Sequence, residues 1–281
     1  MSRSVLQRRF DRPGRGDVPY TELAPPPDLA PYVDRFWLRT SAGGDPARRH
    51  RVLPDGCVDV IVHAGSAVEV VGAMTRALEL SDAPAELVAV RFRPGTAAAI
   101  VRCSLGELTD RHVGLTELGV ADDALVERVA HAGARDGVGA LVDWVRARLA
   151  GAHGPDRLVA RAVRLLSAPG DGDARVDRVA GDLRVSRQHL ARVFRREVGV
   201  TPKELARIAR VQRATAALGR GADVARLAVE LGYFDQSHLA HDVRALAGVT
   251  PAALAAERPI ALSHLFESPV PFLQSRARRA P

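Results

Sequence analysis

VDRVAGDLRVSRQHLARVFRREVGVTP occupies residues 176–202, and VARLAVELGYFDQSHLAHDVRALAGVTP occupies residues 224–251. The two stretches are one sentence written twice. Before the internal turn the offset is 48 residues, from Val176 to Val224, Ala180 to Ala228 and Leu183 to Leu231. After the turn it is 49, from His189 to His238 and Pro202 to Pro251, so the second copy has gained one turn residue. A helix, a tight turn, a second helix and a Gly-x-Thr-Pro stop, all repeated, describe a pair of helix-turn-helix units. Such a pair points to a reader of duplex DNA.

Periodicity assigns the faces. Val176, Val179, Ala180 and Leu183 fall at i, i+3, i+4 and i+7 and form an apolar stripe. Arg184-Val185 turns the chain, and Ser186 stands where a helix cap is needed. On the next helix Leu190, Val193 and Phe194 point inward, which leaves Arg187, Gln188, Ala191, Arg192 and Arg195 outward. Arginine pairs bidentately with guanine and glutamine with adenine, so this outer face suits the major groove. Thr201-Pro202-Lys203-Glu204 combines a cap, a proline at the first helical position and a capping-box glutamate. The helix it starts should run to about Leu218 and span ~25 Å, holding both units on one strut. In the second copy Asp223 and Asp235 are the caps, Leu239, Val243 and Leu246 face in, and Gln236, Ser237, His238, His241 and Arg244 face out.

Charge follows the repeats. Residues 156–281 hold 21 Lys plus Arg against 13 Asp plus Glu, whereas residues 1–155 hold 19 against 20. The whole net charge of +7 therefore belongs to the second half, as contact with backbone phosphates requires. The alternative is a solvated surface in an arginine-biased chain, since Lys203 is the single lysine.

Upstream, between Tyr20 and about Arg93, short β-branched runs are broken by Gly, Pro, Ser and Asp, which suggests a small β sheet or barrel. After Pro94-Gly95 the stretches TAAAIVRC, DDALVERVAHA and VGALVDWVRARL carry helical spacing. The expected architecture is an α+β first domain over residues 19–152 and an all-α domain with two helix-turn-helix units over residues 156–258. Residues 1–18 and 259–281 are expected to be mobile ends. With two cysteines, no Cys-x-x-Cys spacing, no secretory leader and no long apolar run, the expected location is the cytoplasm, away from membranes.

Cys57 and His63 in PDGCVDVIVH invite a nucleophile-and-base reading. On a strand they would stand ~20 Å apart, so catalysis is not expected. A metal site from Cys57, Asp59 and His50 or His112 has no ligand spacing behind it, and neither a metal nor a cofactor is expected. Arg91 and Arg93 flank Phe92 and project to one face; they either grip an anionic effector or pair with Asp59 or Glu86.

The run from 157 to 256, above all GYFDQSHLAHDVRALAGVTPAAL, resembles the AraC-type transcription regulators. The resemblance implies a DNA-binding regulator with base contacts from Arg187, Gln188, Arg192, Gln236, Ser237, His238 and His241. Arg195 and Arg244, later on their helices, suit phosphates. Val243 departs from the family's inward phenylalanine and thins that core, and Ala191 is too short to read a base edge. RVLPDGCVDVIVH, VAVRFRPGTAAAI and LTDRHVGLTEL are similar to the first, sensing domain of one branch of these regulators. The partners implied are double-stranded DNA across two adjacent major grooves and a small-molecule effector of unknown identity. RNA polymerase and a second copy of the chain stay open as partners. The competing readings are an enzyme or alkylation-responsive protein using Cys57, and a non-specific DNA binder.

Overall fold

The computed structural model describes residues 9–10, 20–41, 49–81, 85–120, 123–151, 154–168 and 174–257. The expected mobile ends lie outside these, except that Arg9–Phe10 forms a strand, β1, paired antiparallel with Leu23 and Glu22.

The first half is α+β and the second all-α. Strands β2 (Tyr20–Leu23), β3 (Val33–Ser41), β5 (Val58–His63), β6 (Val68–Val71), β8 (Ala85–Phe92) and β9 (His112–Gly114) join β1 in one sheet of order β1-β2-β3-β8-β5-β6-β9. Strands β4 (Arg49–Val52) and β7 (Leu78–Ser81) form a separate two-stranded ribbon. Alternation gives the large sheet two different buried faces. Phe36, Val60, Val90 and Phe92 are wholly buried in a core shared with helix α2 (Asp123–Leu149). Within α2, DDALVERVAHA and VGALVDWVRARL form the two helices their spacing predicts, separated by a kink at Gly133 where the backbone leaves the helical region. TAAAIVRC makes only a single turn, α1 (Ala98–Val101), because Arg102 turns left-handed and ends it.

The other face carries a charged network. Arg91 donates to Asp59 from Nε and Nη2, at 3.0 and 2.8 Å, and to Asp55 from Nη1 at 2.9 Å. Trp37 Nε1 donates to the same Asp59 at 3.2 Å, and Arg35 joins Glu22 and Asp34 beside it. These groups are buried, and burial drives the Asp55 carboxyl above its usual range although Arg91 pulls it down. A buried ion pair adds little net stability, but removing one partner strands a charge at a cost of about 3–5 kcal/mol.

The helical half runs α3 (Arg157–Ser167), α4 (Ala174–Asp182), α5 (Arg187–Glu197), α6 (Pro202–Leu218), α7 (Val224–Glu230), α8 (Gln236–Ala247) and α9 (Pro251–Ala256). It has two cores, one around Phe194 and Leu205 and one around Ile208, Leu239 and Val243. Each takes in a residue of the first half: Ala73 enters the former and Leu53 the latter. The halves meet closely. A Cβ on Gly95 would lie 2.5 Å from Val159 Cγ1, and one on Gly56 2.7 Å from Leu205 Cδ1, so glycine is what permits the approach.

Candidate nucleic-acid interface

Each reading helix starts at a side-chain cap and is held by its apolar stripe. Ser186 Oγ accepts from His189 N–H at 3.1 Å, and α5 buries Leu190, Val193 and Phe194. Asp235 accepts from His238 N–H at 2.7 Å, and α8 buries Leu239, Val243 and Leu246. These inward residues force the opposite side chains into solvent. Arg187, Gln188, Arg192 and Arg195 of α5 are exposed, as are Gln236, Ser237, His238, His241 and Arg244 of α8. Of the outward residues picked from the periodicity, all but the half-buried Ala191 are exposed. The strut α6 spans the expected residues, with Thr201 and Glu204 closing the capping box.

The outward cations are lightly held. Arg187 pairs with Asp177 of α4 at 2.8 Å, but both side chains are largely exposed. Exposed pairs contribute about 0–1 kcal/mol, so a phosphate or base edge can displace this one. Arg192 Nη2 lies 3.3 Å from His189 Nδ1. Arg196 beside them is paired with Glu197, 2.7 Å away.

Beneath α8 lies a polar layer that sequence reasoning missed. Asp242 is on the buried face and binds Arg207 of the strut at 2.6 Å, with Arg210 3.6 Å away. Arg210 stacks over the Tyr233 ring at 4.7 Å, and Tyr233 meets the His238 ring edge-on at 5.2 Å. A chain of contacts therefore runs from the strut to an outward histidine. The signal was present: positions 239, 242, 243 and 246 share the inward face, so a carboxylate at 242 calls for a cation opposite. The core that holds Val243 also takes in Leu53 from the first half, a contribution no local pattern announces.

Arg213, on the same strut, is the unusual cation. It donates to Ser167 O at 2.6 Å, while its Nε and Nη2 are buried without a hydrogen-bond partner among the described residues. Burial first, then the like charges of Arg175 and Arg210, push its pKa down to about 10.

The other candidates in the first half are closed. Arg91 is spent on Asp59 and Asp55; the first pairing was one of two expected, the second was not. Arg93 donates to Ala30 O at 2.9 Å, and Glu86 instead accepts from Ala134 N–H in α2. The open anion grip imagined for Arg91 and Arg93 is therefore not formed, because internal acceptors occupy both. Cys57 is buried, and burial, with Asp55 next, raises its thiol well above the ordinary range, the wrong direction for a nucleophile. His63 stands on β5 with Glu69 as its partner at 3.0 Å. Among the described residues no three His, Cys, Asp or Glu side chains cluster as metal ligands, and no helix is long and apolar enough to cross a membrane.

Comparison with known proteins divides the chain the same way. Residues 179–257 match a family described as a helix-turn-helix domain, and residues 21–114 match one described as a domain of unknown function, DUF6597. No curated protein matches. Among solved structures, the chain is similar to the C-terminal domain of AraT, a response regulator from Geobacillus stearothermophilus, at 24% identity and TM-score 0.35, over 38% of this chain and 89% of that one. It is also similar to an apo alanine variant of ToxT from Vibrio cholerae strain SCE256, at 14% identity and TM-score 0.40, over 88% of this chain and 99% of that one. Wild-type ToxT of the same strain, bound to an unsaturated fatty acid, gives 13% identity and TM-score 0.38 over 74% and 93%. The doubled units, their caps and the family match together identify the C-terminal part of this chain as a helix-turn-helix domain of the AraC type, a class of DNA-binding transcription regulators.

Proposed function

We propose that the chain regulates transcription by reading two adjacent major grooves of one DNA site, with residues 156–258 as the reader and residues 19–152 as the unit that senses a small molecule or partner. The observation that carries this is the pair of capped helices, α5 and α8, with differing polar outer faces left open on a common strut. Arg187, Gln188 and Arg192 contact bases from the first helix, and Gln236, Ser237, His238 and His241 from the second. Arg195 and Arg244 contact phosphates. A binder of phosphates alone has no use for Gln236 and Ser237 beside two histidines.

Sensing works only if the effector binds two arrangements of the chain with different affinity. Footprinting of duplexes upstream of neighbouring operons tests the reading: protection of about two helical turns at moderate salt is expected, and no protected site rejects it. Arg187→Ala or Gln236→Ala should relax preference at one base position by ~1–3 kcal/mol. Arg195→Ala should weaken all sequences alike and lower the salt slope by about one.

A further inference from the structure

An α-helix leaves its last four carbonyls without partners inside the helix. In α8 the first half of the chain supplies two of the missing donors. Ala77 N–H donates to Leu246 O at 2.7 Å, and Arg51 Nη1 donates to Ala247 O at 2.9 Å. Arg51 is itself fixed on three sides. It stands on β4 opposite Glu79 of β7, which it meets at 2.8 Å, and its Nε reaches Glu257 just after α9 at 2.7 Å. A guanidinium at a helix C-terminus is also where the macrodipole favours positive charge.

The first reading helix is held in the same place by different residues. Past the end of α5, Thr109 Oγ1 donates to Gly199 O, and the backbone at Gly106 lies directly against Arg195 O. The 3-10 turn at Leu105–Glu107 and the residues after it thus grip the exit of α5, as the β4–β7 ribbon grips the exit of α8.

We propose that Arg51 and Thr109 are positioning residues for DNA reading: each pins the C-terminal end of one recognition helix to the sheet-bearing half, and together they set the angle between the two readers. The inference rests on the DNA-reading proposal above. Leverage makes it consequential. Base edges are met by the N-terminal residues of such a helix, and a helix the length of α8 is ~18 Å long. A tilt of about 10° about the pinned end moves the other end by ~3 Å, close to the ~3.4 Å rise of one base pair.

The test uses the full chain as wild type, Arg51→Met and Thr109→Val, each selecting from random duplexes. Arg51→Met should flatten the preferences opposite Gln236 and His238 about tenfold while those opposite Arg187 and Gln188 stay within about twofold; Thr109→Val should do the reverse. Leu125→Ala, in the sheet core and making neither of these hydrogen bonds, supplies a destabilised control whose losses fall on both halves alike. Amide exchange gives a readout without DNA: Arg51→Met should speed exchange in the last turn of α8 and at Gly248 about tenfold. Losses shared equally between the two half-sites, no change in either, or unaltered exchange would overturn the proposal. A wild-type chain that enriches no sequence overturns the DNA-reading proposal, and this inference with it.

Discussion

Asp242 is where one side chain decides most. It is buried, it ties the second reading helix to the strut through Arg207, and it neutralises Arg210 beneath Tyr233. Asp242→Ala strands those cations and should cost about 3–5 kcal/mol, read as a drop in the urea midpoint. Arg213→Met should act oppositely, because it removes a cation with two donors that find no acceptor among the described residues. The gain is put at about 1 kcal/mol, at the low end since the group is partly exposed. Its pKa is pushed down to about 10, so the cost of its charge is present at every pH below that and relieved only above it. The gain should accordingly be equal at pH 6 and pH 8, and a gain confined to one of them would contradict this cause. The outward residues of both reading helices were legible from helical spacing alone. The pairing of Arg91 with Asp55 was not, since it joins a loop to a strand 36 residues away through a sheet register that no local pattern encodes.

Short-range chemistry made the elements of the helical half readable. Ser186, Thr201, Asp223 and Asp235 each cap the helix expected of them, because a cap is satisfied within three residues of itself. Ser186→Ala and Asp235→Ala should each lower stability by about 1 kcal/mol. Asp235→Ala should also raise amide exchange at His238, and unchanged exchange there would contradict the assigned cap. Spacing misled where the backbone itself breaks a pattern. TAAAIVRC has helical periodicity, yet its helix ends at a left-handed Arg102, whereas the two helices read in DDALVERVAHA and VGALVDWVRARL both form and meet at a kink at Gly133. The segment from Tyr20 to about Arg93 is β-rich as its short runs predict, but that β4 and β7 pair with each other, apart from the main sheet, follows from tertiary packing.

At the scale of the molecule, the two halves share cores and do not merely touch. Leu53 completes the second helix-turn-helix core, Gln212 donates to Pro54 O, and Gly95 lets Val159 close on the sheet. Thermal or urea unfolding of the whole chain should therefore show one cooperative transition. Gly95→Val, which drives a side chain into Val159 at a left-handed backbone position, should split it into two. This seam was the least legible part of the chain, because each of its contacts joins segments far apart in sequence. The central claim, one duplicated reader on one duplex, is met most directly by base-interference mapping on a selected site with the full chain. Two short clusters of essential bases about 10 base pairs apart on one face of the helix are predicted. A single cluster, or interference spread evenly along the backbone, would contradict it.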